Sequence, residues 1–377
     1  MSSTSPYWLS EPAPPLLSAA LDGTPDVEVV GAGVTGCSCA LALARAGRRV
    51  RVHDARQVAG GASGRNGGFA LRGGAMPYDS AREWLGGDTA QAYWRWTEAA
   101  LDRLEPLAGD SFRRVGSLRL AADEEERDAL RAEFDALRED GIAAEWRDDL
   151  VSPLAGRFTG AIFHPTDAVL QPARMVRRLA AKAAQAGAEF REWSRVGSHD
   201  ELEAEHVVVA TDGYPSGLLD ALEGLIVPTR GQVIATEPLD ERLFPIPHYG
   251  RHGFDYWHQS ADGRLVAGGF RDYALESEFT ADESTTATIQ EALESFVAGL
   301  LGRRPRIDFR WAGIFGLVPD LMPVVGPVSG RDGAWVAGGY SGHGNVLGFA
   351  CGELVARAVL GETPAELAWF DPARLLV

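Results

Sequence analysis

DVEVVGAGVTGCSCALALARAGRRVRVHD, residues 26–54, passes from a short β-rich run through three glycines into an alanine- and leucine-rich helix closed by Gly47. It then enters a second strand that stops at Asp54. Strand, glycine turn, helix and strand in that order open a Rossmann-type α/β domain that binds a dinucleotide. Gly31 permits the tight turn, Gly33 lets backbone amides approach a pyrophosphate at the positive end of the helix, and Gly36 lets helix and strand pack closely. Asp54, 18 residues beyond Gly36, is placed to accept hydrogen bonds from an adenosine ribose.

Glycine returns in residues 60–68, which include Ala62, Ser63, Arg65, Asn66, Gly67 and Gly68, too rich for regular structure and therefore a loop whose backbone comes close to something. Beyond it, helical spacing marks residues 84–107 and 122–140, with the charge run 123–127 read as the solvated face of the second helix. Residues 112–120 read as a strand. Pro172 opens a basic amphipathic helix with Gly187 as its stop, and GAEFREWSRV and HVVVATDGY return the chain to the first domain as strands. Residues 230–237 and 254–270 read as antiparallel strands, the latter folded at Asp262-Gly263 as a two-residue hairpin. A strand at 334–338, the loop GYSGHGN and a final helix close the chain. The expected fold is α/β, α+β overall, with the dinucleotide domain (1–75, 168–229 and 310–377) interleaved with a mixed or antiparallel-sheet substrate domain (76–167 and 230–309).

The chain has 377 residues, 45% of them hydrophobic and 24% charged, as in compact proteins rather than disordered ones. Its charge, 36 − 53 = −17, opposes nucleic-acid phosphate and anionic lipid and draws cationic small molecules. No CxxC pair suggests a metal, and no segment reads as a signal or a membrane span, so a cytoplasmic protein is expected. Lys182 is the only lysine.

A second glycine loop directly after Asp54, with no second dinucleotide fingerprint, favours FAD over NAD. Taken with SPYWL, VVGAGVTG, GASGRNGG, HVVVATDGY, RGQVIATEP, DGRLVAGGF, GLVPDLMPVVG and GYSGHGN, in that order along the chain, the sequence resembles the FAD-dependent amino acid and amine oxidoreductases of the D-amino acid oxidase/sarcosine oxidase superfamily. Within it the pattern is nearest the γ-glutamylputrescine oxidoreductase type. The resemblance implies that Gly31, Ala32, Gly33, Val34, Thr35, Gly36, Asp54, Ala55 and Arg56 hold the adenosine diphosphate. Val196, Ala210 and Thr211 would lie at the adenine, although the hairpin before HVVVATDGY is shortened to GSHDELEAE. Residues 62–68 would pass along the pyrophosphate and one face of the flavin. Gly342, His343, Gly344 and Asn345 would stabilise the reduced, anionic ring from the start of the last helix.

The substrate face is expected from the strand bearing Tyr256, Trp257 and His258 and from Arg230 and Gln232, with aromatics caging an amine. Tyr256, His258, Arg72 and His343 are the candidate catalytic residues, Arg72 or Arg230 the candidate carboxylate anchors. Covalent attachment needs a cysteine near RWAGIFG and none is there, so FAD is expected to be noncovalent. The oxygen-activating lysine of one branch is missing from residues 264–269, leaving Arg264 or His258 to supply positive charge. The expected reaction moves a hydride from the carbon next to an amine nitrogen to flavin N5, giving an imine that hydrolyses, with dioxygen or an electron carrier as final acceptor. Alternatives are a flavin dehydrogenase using a quinone or carrier or acting on a 2-hydroxy acid, and a structural-flavin subunit of a complex.

Overall fold

The computed structural model describes residues 6–214, 217–218 and 224–375. A six-stranded sheet runs in the order Val324–Pro327, Ala334–Gly338, His206–Val209, Val27–Val30, Val50–His53, Glu189–Arg191. All neighbours are parallel except the first pair. Val27–Val30 is buried along its whole length, as befits a central parallel strand covered on both faces. The helices Val34–Arg45 and Gly344–Val359 pack on it, and Gly352 lets them touch: a Cβ there would fall 2.4 Å from the Thr35 carbonyl oxygen.

The second body is an eight-stranded sheet ordered Ile307–Leu317, Val227–Pro238, Arg264–Gly269, Asp255–Gln259, His248–Gly250, Ser117–Ala121, Gly160–His164, Glu145–Arg147. Only the pairing of His248–Gly250 with Ser117–Ala121 is parallel. Ile307–Leu317 pairs here along its length, although residues 310–317 fall within the sequence segment assigned to the dinucleotide domain. A three-stranded sheet of Phe69–Ala70, Ala168–Leu170 and Phe112–Arg114 follows the second glycine loop.

Four local readings change. The strand expected over 112–120 is two strands in different sheets, broken at Gly116, whose φ of +75° and place against the Phe163 ring suit only glycine. The helix expected over 84–107 is two, Tyr78–Leu85 and Gly87–Ala108, parted by Gly86 at φ +83°. The charge run is not wholly solvated. Asp123 caps the helix Glu124–Glu139 by accepting from the Glu126 amide, while the buried Glu126 carboxylate accepts from the amides of Ala122 and His252. The hairpin turn spans four residues, 260–263, because the Ser260 hydroxyl accepts from the Arg264 amide and donates to Asp262. No described helix is long and apolar enough to cross a membrane.

Candidate functional site

The glycine turn is backbone packed on backbone. A Cβ on Gly31 would fall 2.5 Å from the Ala210 carbonyl oxygen, and one on Gly36 only 1.8 Å from the Gly31 carbonyl oxygen. Gly33 caps Val34–Arg45 with bare backbone, and the Val34 amide donates to the Ser63 hydroxyl at 2.9 Å. Asp54 ends its strand by accepting from the amides of Ala32 and Arg56, both at 2.7 Å, with Ala55 in the turn between; burial pushes its pKa up. Its carboxylate thus holds the turn itself. The Arg56 guanidinium pairs with Glu283 at 2.6 Å and lies over the Tyr214 ring. Val196 is buried with Val30, Val207 and Val209, while Ala210 and Thr211 follow the neighbouring strand at the same sheet end.

The second loop is pinned from several sides. Trp8 Nε1 donates to the Asn66 carbonyl and Trp311 Nε1 to the Arg65 carbonyl, each at 2.7 Å. Asn66 and Asn345 exchange side-chain amide hydrogen bonds at 3.1 and 3.0 Å, and Asn345 also donates to the Phe69 carbonyl. Arg65 pairs with Glu283 and donates to the Ala312 carbonyl. Gly67 lies against the Tyr256 ring, where a Cβ would come within 2.8 Å, and Gly68 takes a φ of +81°.

Two cavities meet along this loop. One of about 80 Å³ lies at the start of Val34–Arg45, bounded by Gly33, Val34, Thr35, Ser63 and Ala210. The other, of about 280 Å³, is lined by Tyr249, Tyr256, Arg271, Phe315 and His343 among others. Ala62, Asn66, Phe315, Gly342 and Asn345 form walls of both, giving an elongated path from one helix N-terminus to the other. Bare backbone, two positive helix ends and a wide terminal cavity fit a molecule with a diphosphate at one end and a flat ring at the other.

His343 caps Gly344–Val359, which begins at Gly344 rather than after Asn345. Burial pushes the His343 pKa down to about 4, and its Nδ1 has no partner among the described residues. Asp212, which the sequence reading passed over, binds this corner together: its carboxylate accepts from the amides of Gly316 and Gly339 at 3.1 and 2.8 Å. The signal for it was present, an acid three residues beyond the strand His206–Val209.

Tyr256 faces the larger cavity, but the other substrate-face expectations change. Alternation puts Trp257 into the core on the opposite face, against Phe296 and His248. His258 shares the face of Tyr256, yet lies on the far side of Phe69. It stacks on Trp8 at 5.9 Å, with Nε2 bonded to the Gly67 carbonyl, and lines a separate cavity with Arg113 and Ser260. Arg72 is no open anchor: it is buried, pairs with Glu98 at 2.5 Å, and lines only a neighbouring small cavity. Arg230 is clamped at 2.8 Å by both oxygens of the fully buried Glu278, which Gln232 also meets, so Gly231 alone of that trio reaches the cavity. Neither Arg264 nor His258 offers a free cation, since Arg264 pairs with Asp308 and Asp262 and burial pushes His258 down to about 4. Sequence reasoning missed Tyr249 and Arg271. It also misjudged the charge: among the described residues no Asp or Glu lines the larger cavity.

The family described as DAO, FAD dependent oxidoreductase, matches residues 26–358. Among curated proteins, the chain is 27% identical over 370 residues to "Probable oxidoreductase OrdL" of Haemophilus influenzae, covering 89% of this chain and 83% of that one. It is 28% identical over 376 residues to the γ-glutamylputrescine oxidoreductase of Escherichia coli, covering 90% and 84%. The solved glycine oxidase of Geobacillus kaustophilus superposes with a TM-score of 0.77 at 24% identity, over 94% of this chain and 98% of that one.

Proposed function

The chain belongs to the DAO family of FAD-dependent oxidoreductases, and we propose that it oxidises a small amine or amino acid at the carbon next to nitrogen, holding FAD noncovalently. The observation that carries this reading is the bare-backbone path between two helix N-termini that opens into a cavity with no carboxylate among its described lining residues. Residues 31–36 and Ser63 would hold the diphosphate, and Asn66, Gly67, Gly342 and Asn345 the ring. Bound FAD supplies a two-electron acceptor able to take a hydride from the carbon next to nitrogen, leaving an imine for hydrolysis.

The protein's own part is placement and proton balance. Tyr256, packed edge-on against Phe69 at 5.8 Å, limits where a substrate lies over the loop. A cavity that holds Arg271 and, among the described residues, no acid disfavours an ammonium ion, so an amine entering it is pressed toward the neutral form whose lone pair the reaction needs. His343, neutral above about pH 4, lines the same wall and accepts a hydrogen bond from an amine without adding charge. Cys37, Cys39 and Cys351 are buried in the core and border neither cavity, which supports noncovalent FAD. A dehydrogenase passing electrons to a quinone or carrier is the second reading, favoured by the paired Arg264 and the neutral His258.

Anaerobic bleaching of the bound flavin with amines, polyamines, N-methyl amino acids and D-amino acids tests the proposal. Reduction by at least one amine is expected, and re-oxidation by dioxygen or by a quinone then separates the two acceptors. Flavin that none of the panel reduces would refute the proposed reaction.

A further inference from the structure

Trp8 and His258 press on the second glycine loop from behind. Their rings lie parallel at 5.9 Å; Trp8 Nε1 donates to the Asn66 carbonyl at 2.7 Å and His258 Nε2 to the Gly67 carbonyl at 2.9 Å. Gly68 is left no room for a side chain, since a Cβ there would meet His258 Nε2 and a Trp8 ring carbon, each at 3.2 Å. Asn66 and Gly67 also line the larger cavity, so a single layer of backbone parts that cavity from the two rings.

On the far side of the rings lies a cavity of about 330 Å³, between the turn Tyr7–Leu9, the strand Phe112–Arg114 and residues 260–262. Tyr7, Trp8 and His258 give it flat walls. Its acids are engaged: Glu11 by Arg174 and Asp110 by Arg178, both at 2.6 Å, and Asp262 by the Tyr7 hydroxyl at 2.7 Å and Arg264 at 3.0 Å. Two groups are not. His258 is only 1% exposed, and because a carbonyl can only accept, its ring proton sits on Nε2; Nδ1 is left as an acceptor without a partner among the described residues. The Arg113 guanidinium, in the exposed part of the wall, likewise has no hydrogen bond or ion pair among the described residues. A cation and a lone pair in a flat-walled cavity suit a flat molecule whose oxygens are carbonyls in one redox state and hydroxyls in the other. The carbonyl accepts from the guanidinium, and the hydroxyl donates to Nδ1.

Resting on the second reading above, in which electrons leave to a quinone or carrier, we propose that this cavity is the acceptor site and takes a quinone, so that amine and acceptor occupy opposite sides of the loop. The reduced flavin anion loses two electrons and its N5 proton. The quinone gains those electrons, that proton and one more from water, and both of its C=O groups become C–OH. A protein carrier could not reach His258 at this depth, whereas a small ring can.

The test uses the FAD-loaded enzyme with menadione as the quinone. Binding to the oxidised enzyme is measured by equilibrium dialysis, and re-oxidation by anaerobic stopped flow after reduction with dithionite. Arg113→Met removes the cation, and Ala261→Trp fills the cavity from an exposed turn. Each should weaken menadione binding and slow re-oxidation at least tenfold, while flavin content and the rate of bleaching by an amine change less than twofold. No menadione binding by the wild type, or binding and re-oxidation unchanged in both folded variants, overturns the assignment. Fast re-oxidation by menadione that both variants leave intact would keep the quinone reading and sink the site. Should one variant not fold, the other decides. Because dithionite does the reducing, an enzyme that no amine bleaches refutes the proposed reaction while menadione still judges the cavity.

Discussion

Gly33→Val separates a cofactor-binding glycine from a merely structural one. Gly33 has a φ of −79°, open to any residue, so the substitution adds no backbone strain. Its Cβ would fall 2.9 Å from Ser63 Oγ, and the valine methyls would reach into the cavity of about 80 Å³ at the helix start. Ser63 is a short side chain that can rotate away, so the direct cost is its hydrogen bond from the Val34 amide, about 1 kcal/mol. The larger loss is linked to the ligand: free FAD at a hundred times its Kd stabilises the folded protein by about 2.7 kcal/mol. The wild type should therefore gain Tm with added FAD while Gly33→Val gains none, and the purified variant should hold little flavin. Gly36→Ala is the contrast, since its Cβ would meet the Gly31 carbonyl oxygen at 1.8 Å, an atom that cannot swing aside, and should damage folding with or without FAD. The assay is flavin-to-protein ratio with thermal unfolding at graded FAD. Full flavin content in Gly33→Val, with the wild-type rise in Tm, refutes the reasoning.

Denaturation by heat or acid should release intact FAD into the filtrate; visible absorbance remaining on the unfolded chain would contradict the burial of all three cysteines away from the cavities. Arg72→Met should cost about 2 kcal/mol of stability by removing the buried guanidinium bonded to Glu98, yet leave the KM ratio of acidic to simple amines unchanged, and a selective rise would return Arg72 to the site. Acid should weaken the fold before ordinary, unshifted carboxylates titrate. Burial pushes His248 down to about 3 and His258 to about 4, below the unfolded value of about 6.5, so their stabilisation is full above that value and falls as pH drops. Between pH 7 and 5 each should cost about 2 kcal/mol. Asp167, pushed up to about 6 by burial, works the other way and returns about 1 kcal/mol over the same interval. Urea midpoints at the two pH values check the net loss, and an unchanged midpoint would show the histidines already charged in the fold.

The dinucleotide turn was readable because its constraint is local. At Gly31 and Gly36 a backbone oxygen stands where a side chain would go, so residue type reports geometry directly. The second loop was readable for the same reason at Gly68, which faces the Leu170 carbonyl oxygen, whereas at Gly67 the Tyr256 ring takes the place of a side chain. The hairpin was misread because Asp262-Gly263 signals a short turn, whereas the Ser260 side chain closes a longer one. Tyr256 and Trp257 were equally plausible as site residues because both faces of their strand are covered, and alternation says only that they part company.

Which arginine lines the larger cavity without an acid partner lay beyond sequence reasoning for a different cause. With 36 basic residues, one of them Lys182, the chain has 35 arginines, and what distinguishes them is which have an acid within reach after folding. Glu98 and Glu278 lie 26 and 48 residues from the arginines they neutralise, while Arg271 loses its own neighbour Asp272 to Arg251. Net charge misled in the same way. A total of −17 describes the surface as a whole, but fields in salt fade over about 8 Å, and a cavity takes its sign from the few groups in its wall. Among the described residues that wall includes one arginine without an acid and no carboxylate, so the interior of an acidic protein can carry the opposite sign.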